Sequence, residues 1–381
     1  MRIAYVINSV EGGGAALPVP AVAQVLREQG AEVQVFALTR RDGRALPAME
    51  AAGLPVQVRE GGEKDHLAAL AWLDRRISAW RADVVWTSLT RATLLGQLVG
   101  LRRGLPVVSW QHAAYLKPAN LALLRATQRL SALWIGDSHS VAALTAERLG
   151  VPWERLAVWP LFAADAKAPR ARPWRPDQTV RLGALGRLHP VKGHDVLIAA
   201  LARLPKICFA PLPPFELRIA GDGDQRAELE AAIAAAGLTN VRLTGFETDP
   251  RRFLADLHIF VQPSRSEGLC IAAHEAMQAG LPSVVSAVGE LPHSVRDGET
   301  GLVVPPDDPE ALAQALAWLL LHPERLAGMG AAARARVLDR MGAAAFAQAG
   351  AEVFQRIPVR PADPSAAPRR SPGQQTNGLS A

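Results

Sequence analysis

Cysteine is scarce in this chain of 381 residues: Cys208 and Cys270 are the two present. They cannot make a disulfide framework or a cysteine-based zinc site, and a reducing compartment is the natural inference. No uninterrupted apolar run reaches the ~18 residues that a spanning helix needs, so no membrane span is expected. The chain opens on RIAYVINSV, a strand pattern with no basic segment or cleavage site before it, and no secretory leader is expected. Basic residues are scattered rather than bunched and no nucleic-acid-binding motif occurs, so nucleic acid is not an expected partner. These absences together point to a cytoplasmic location. The net charge of +6 leaves room for a peripheral contact at the inner face of the membrane, or for a phosphate-bearing ligand. Aromatic residues make up 5% of the chain, whereas Ala is very common.

Ala-rich helical stretches alternate with Val- and Leu-rich strands, the pattern of an α/β protein. Strands are expected at Ile3–Ile7, at EVQVFAL, at 83–86, at 106–110 and at Leu133–Gly136. Helical stretches between them require crossovers, hence a parallel, doubly wound sheet over residues 1–165. Residues 166–179 are rich in Pro and Arg, have no periodicity, and read as an interdomain linker. The pattern restarts at VRLGALGRL, with strands at Phe215–Ala220, Val241–Thr244, Ile259–Gln262 and Ser283–Ser286 forming a second domain over 180–340. Two such domains leave a cleft between the carboxyl edges of their sheets. Pro205–Phe215, with four prolines, reads as a surface insertion. Residues 358–381 lack the apolar content to repay ordering and are expected to be disordered.

The densest chemistry lies in PSRSEGLCIAAHEAMQAGLPSVVSAVGELPHSVRDGETGLVVPP, from Pro263 to Pro306. Glu267 sits in a glycine loop after the strand LHIFVQP, and Glu275 in the helix AAHEAMQAG that follows. Free N–H groups at such a helix start face out of the sheet edge, where a phosphate binds. The Glu275 carboxylate lies where it could accept from sugar hydroxyls, although a lone helical Glu is more often merely solvated. GRLHPVKG supplies two cations after a strand, Arg187 and Lys192, suited to phosphate oxygens. Gly12, Gly13 and Gly14 follow the first strand, but the dinucleotide fingerprint G-x-G-x-x-G is missing, which disfavours an oxidoreductase. Asp222 and Asp224 form a D-x-D that reads as a turn rather than a metal site, and no metal or other cofactor is expected. Cys270 has no activating base in view and reads as a small apolar filler.

The segments G-R-L-x-x-x-K-G, the two glutamates with EAM at the second, and G-x-x-G-L-V-x-P-x-x-D-P (Gly298, Gly301 to Pro309) resemble glycosyltransferase family 4. The resemblance implies the GT-B fold, two Rossmann-like domains facing across a cleft, with a last helix, 341–357, returning to the first domain. It implies a retaining transferase that takes a sugar from a nucleotide diphosphate sugar, needs no metal, and serves a glycan, lipid-linked or small-molecule acceptor. Cell-envelope polysaccharide would be one destination. Carried onto this sequence, Arg187 and Lys192 would hold the diphosphate and Glu267 and His112 would meet the transferred sugar. Gly268, Leu269, Cys270 and Ile271 would offer N–H groups to the distal phosphate. Glu275 would bind ribose, and Gly221, Gly245 and Phe246 would border the base. Gly13 and Gly14 would approach the sugar. The family's G-G-x-P-E is altered here to Gly289, Glu290, Leu291, Pro292, His293, so Glu290 and His293 either recognise a particular sugar or acceptor phosphate or simply mark a subfamily. The rival readings are a nucleotide-sugar epimerase on the same fold, which needs an acid and a base not identifiable here, and a non-catalytic nucleotide-sugar binder, which should have lost Arg187, Lys192 or Glu275.

Overall fold

The structure is a computed structural model that describes residues 1–112, 116–208 and 210–358. The first sheet contains β1 (Arg2–Ser9), β2 (Glu32–Thr39), β3 (Val56–Val58), β4 (Val84–Ser88), β5 (Val107–Gln111), β6 (Leu133–Gly136) and β7 (Leu156–Val158). Their order is β3-β2-β1-β4-β5-β6-β7. The second contains β8 (Val180–Leu185), β9 (Phe215–Ala220), β10 (Val241–Gly245), β11 (Ile259–Gln262), β12 (Ser283–Ser286) and β13 (Gly301–Val304), ordered β10-β9-β8-β11-β12-β13. Neighbouring strands pair in parallel throughout both sheets. Both halves are thus doubly wound, as the alternating pattern indicated. In each, the strand order reverses beside the first strand, between β1 and β4 and between β8 and β11, and such switch points open a crevice at the carboxyl ends.

The strands β4, β5 and β6 are buried along their whole length, because helices cover both faces of a parallel sheet. Two edge strands, β3 and β7, escape sequence reading because three residues are too few to show a period.

A stack of aromatic rings runs through the first domain: Tyr5 on Trp86, Trp86 against Trp110 and Trp159, and Trp159 against Phe346 at 5.3 Å. Phe346 belongs to the helix Ala343–Gln355, which crosses back from the second half. A β-carbon on its Gly350 would fall 2.4 Å from Trp159 and 2.6 Å from Val25, so the helix is seated tightly on the first domain.

The linker is not the free spacer its composition suggests. The Arg334 guanidinium is buried and needs acceptors, and it finds them in the carbonyls of Ala166 and Gln278. The Ala171 N–H donates to the Ala279 carbonyl at 2.7 Å, so the segment is strapped onto the second domain. Pro205–Phe215 is likewise tied down at both ends, with Ile207, Cys208, Leu212 and Phe215 packed against the second core. Of the expected disordered tail, residues 359–381 lie outside the described residues. Among the described residues, no helix is long and apolar enough to cross a membrane.

Candidate active site

Strands β8 and β11 are neighbours, so the loops leaving their carboxyl ends meet although 75 positions separate them. Lys192, in the turn Pro190–Lys192, reaches Glu267 with Nζ 2.7 Å from Oε1. The same oxygen accepts from Ser264 Oγ at 2.6 Å and from Gln262 Nε2 at 3.3 Å. Glu267 is nearly buried, and these donors hold its charge. Burial works against the Lys192 charge, but the pull of Glu267 outweighs it and the ammonium titrates above its ordinary value. Arg187, one turn of loop earlier, is exposed and makes no ion pair among the described residues.

Beyond Glu267 the chain turns through Gly268, Leu269 and Cys270 into the helix Ile271–Ala279. Gly268 admits no side chain, because a β-carbon there would sit 2.3 Å from the His112 carbonyl on the opposite domain. Leu269 and Cys270 are buried. Burial and the neighbouring Glu267 carboxylate drive the Cys270 thiol far above its usual range, which leaves it inert. Ile271 faces Gly14 across the cleft, 3.4 Å from where a β-carbon on Gly14 would lie, while Gly13 has open space beside it.

Glu275 is half-buried and has no hydrogen-bond or ion-pair partner among the described residues. Burial pushes its carboxyl up to about 7, with Arg251 pulling the other way. His194, directly after Lys192-Gly193, is buried with both ring nitrogens unpartnered, and burial first and Lys192 second push it down to about 4. It is a neutral ring under the basic loop. His274 is structural: its nitrogens bond the Cys270 carbonyl and Ser294 Oγ.

The turn at Gly221 lies against both neighbouring loops. Its N–H donates to the Gly245 carbonyl at 2.7 Å, and a β-carbon at Gly221 would fall 1.9 Å from the Gly186 carbonyl. Asp222 accepts from the Phe246 N–H at 3.1 Å and from Arg226 at 3.4 Å, so it fastens the turn to the loop after β10. Among the described residues, no three His, Cys, Asp or Glu side chains converge as a metal-binding group. The Phe246 ring is exposed, and Arg44 of the first domain stacks over it with Cζ 3.7 Å from the ring centre. Sequence reading missed this contact, because nothing in the run Arg40–Arg44 distinguishes one arginine from the next.

His112 leaves the end of β5 toward the cleft. Its Nδ1 lies 2.9 and 3.1 Å from the two oxygens of Asp137, and its Nε2 lies 2.7 Å from Ser88 Oγ. Ser88 and Asp137, from the ends of β4 and β6, were not anticipated.

Glu290 does not stand free to recognise a sugar or a phosphate. Its carboxylate accepts from Ser140 Oγ at 2.8 Å, at the start of the helix His139–Leu149 of the first domain. A carboxylate suits that position, where unpaired N–H groups and the helix dipole favour negative charge. His293 is exposed, and its carbonyl takes hydrogen bonds from Arg336 and Arg340.

Comparison with known proteins agrees with this architecture. The family model described as Glycosyl transferases group 1 matches residues 169–336, and that of Glycosyltransferase Family 4 matches residues 12–163. The D-inositol 3-phosphate glycosyltransferase of Streptomyces scabiei is 30% identical over 389 residues, covering 90% of this chain and 86% of that protein. The GDP-mannose-dependent alpha-(1-6)-phosphatidylinositol monomannoside mannosyltransferase of Mycolicibacterium smegmatis is 35% identical over 167 residues, 41% of this chain and 42% of its own. Anabaena HepE, solved in complex with UDP and glucose, superposes with a TM-score of 0.80 at 22% identity, over 93% of this chain and 99% of its own. Fold and matches together define a glycosyltransferase of the GT-B architecture. The chain belongs to glycosyltransferase family 4.

Proposed function

We propose that the enzyme transfers a sugar with retention of configuration, from a nucleotide diphosphate sugar to a glycan, lipid-linked or small-molecule acceptor, without a metal ion. The observation that carries this reading is the pairing of Lys192 with Glu267, with Arg187 close by, at the switch point of the second sheet, and Glu275 on the helix that follows. Lys192 supplies fixed positive charge where a leaving diphosphate would develop its negative charge, and the exposed Arg187 has its guanidinium free to join it. Glu275 is a carboxylate without a donor, suited to ribose hydroxyls. HepE, solved with UDP, and the relatives named for inositol phosphate and phosphatidylinositol mannoside acceptors support a nucleotide donor and a polyol or lipid acceptor. Attack from the same face as the departing phosphate, with that phosphate taking the acceptor proton, needs no base from the protein. Work at the inner face of the membrane would suit a lipid-linked acceptor.

A thermal-shift screen against nucleoside diphosphates and nucleotide sugars tests the donor. A ligand at about 100 times its Kd stabilises by about 2.7 kcal/mol, and no response to any nucleotide would end the proposal. Incubation of a stabilising nucleotide sugar without acceptor separates a transferase from an epimerase, which would convert the sugar unaided.

Metal independence rests on Asp222, whose oxygens already serve the Phe246 N–H and Arg226. Turnover is expected to persist in excess chelator. Activity lost to chelator and restored by Mg²⁺ or Mn²⁺ would reassign Asp222 and Asp224 as metal ligands.

Glu275 gives a pH signature. Its folded carboxyl holds a proton up to about 7, whereas an ordinary one ionises near 4.5. Its contribution to stability is therefore complete below about 4.5 and lost as the pH rises through about 7. Ribose hydroxyls donate to the ionised form, so nucleotide affinity is expected to rise between pH 6 and pH 8 with release of a proton. Calorimetric titrations in two buffers, repeated on Glu275→Gln, measure this. Proton release that is unchanged in the variant would belong to the nucleotide phosphate instead.

A further inference from the structure

The first domain contains a buried polar chain at its cleft edge, where the His112 carbonyl faces Gly268 of the second domain. The ends of β4, β5 and β6 lie side by side, with Ser88 paired to Trp110 and Gln111 to Gly136 in the sheet register. That register aligns Ser88, His112 and Asp137. The Asp137 carboxylate is 4% exposed and sits between Trp110 Nε1 at 2.5 Å and His112 Nδ1. The imidazole lies flat on Trp110, with centroids 5.6 Å apart and planes 25° apart, so it has little freedom to rotate. Its far nitrogen meets the fully buried Ser88 hydroxyl.

We propose that Asp137 is the positioning residue for His112: it fixes the ring proton on Nδ1 and so decides what Nε2 offers to the transferred sugar. The inference rests on the reading of His112 as the first domain's sugar contact. A carboxylate has acceptors alone, so Nδ1 must carry hydrogen in that bond. The neutral ring then presents a lone pair at Nε2. Ser88 fills it when the site is empty, since a serine hydroxyl can donate. A sugar hydroxyl has the same chemistry as the Ser88 hydroxyl and takes its place. In the opposite tautomer Nε2 would carry hydrogen and the ring would donate to the sugar rather than accept from it. Trp110 contributes by holding both members, stacking on the ring and donating to the carboxylate.

The Asp137→Asn variant separates positioning from packing, because it keeps the shape and can reverse the bond: its amide N–H can donate to a bare Nδ1. Nitrogen-15 NMR of histidine-labelled full-length protein reads the tautomer directly. The wild-type His112 is expected with hydrogen on Nδ1, and the variant with population shifted to Nε2. Turnover is expected to fall tenfold or more in Asp137→Asn, with nucleoside diphosphate affinity unchanged. Should the variant fail to fold, the wild-type spectrum alone decides, and hydrogen on Nε2 there overturns the inference. A wild-type turnover in Asp137→Asn beside an impaired His112→Ala overturns it as well. A wild-type turnover in His112→Ala would instead sink the reading of His112 on which it rests.

Discussion

Replacing Lys192 with alanine is expected to lower kcat a hundredfold or more. The ammonium is held at 2.7 Å from Glu267 in a loop that its neighbours fix, so under the proposed reading it would meet the leaving diphosphate with little reorganisation. Pre-set charge of that kind, aimed at charge developing in the transition state, is typically worth about 2.7–4 kcal/mol. Glu267 keeps its bonds from Ser264 and Gln262 in the variant. The fold should therefore survive, and the loss should appear in kcat rather than in yield of folded protein. Arg187→Ala should cost less, because an exposed guanidinium with no partner is screened by water and must be ordered on binding. Steady-state kinetics with a circular dichroism melt on each variant measure both effects. A kcat near the wild-type value for Lys192→Ala would remove the proposed phosphate site.

His112→Ala is expected to separate turnover from nucleotide binding, with turnover down about a hundredfold and nucleoside diphosphate Kd changed less than threefold. Every donor-side group proposed for the nucleotide lies in the second domain, at the ends of β8 to β11. His112 comes from β5 and meets that domain through its backbone, the carbonyl against Gly268. In the proposed reading its ring faces the sugar, so removing it should spare the diphosphate and the base. Calorimetric titration of the variant with nucleoside diphosphate, beside its kinetics, gives the answer. A tenfold weaker nucleotide, or an unchanged turnover, would place His112 elsewhere in the mechanism.

The second half of the chain was far more legible than the first. Its donor loops are local: Arg187 and Lys192 are five positions apart, and Glu267 and Glu275 belong to one strand–loop–helix unit, so spacing carries the chemistry. The first domain builds its site from the ends of separate strands. Ser88, His112 and Asp137 are about 25 positions apart in sequence and become neighbours through sheet register, which no local pattern encodes. Asp137 stands in DSHS, directly before Ser138, which caps the next helix by accepting from the Val141 N–H. The role of Glu290 stayed open for the opposite reason. Its departure from the family pattern was visible, but its partner, Ser140, lies 150 positions earlier on the facing domain. That the linker is strapped to the second domain was not readable, because composition speaks for the segment and not for Arg334, whose buried guanidinium recruits the segment's carbonyls.

The helix Ala343–Gln355 has a consequence for how the chain is made. Domains tend to fold in order as they leave the ribosome. Here one apolar seat of the first domain is filled by the end of the chain. Val25 and the indole of Trp159 form the seat for Gly350 and Phe346, which are synthesised almost 200 residues after Trp159. A nascent first domain therefore carries an apolar groove in water until the second domain has been made and its last helix delivered. Among cellular conditions, those that slow translation of the second half would lengthen that exposure. The groove, rather than either sheet, is where a chaperone would have most to protect.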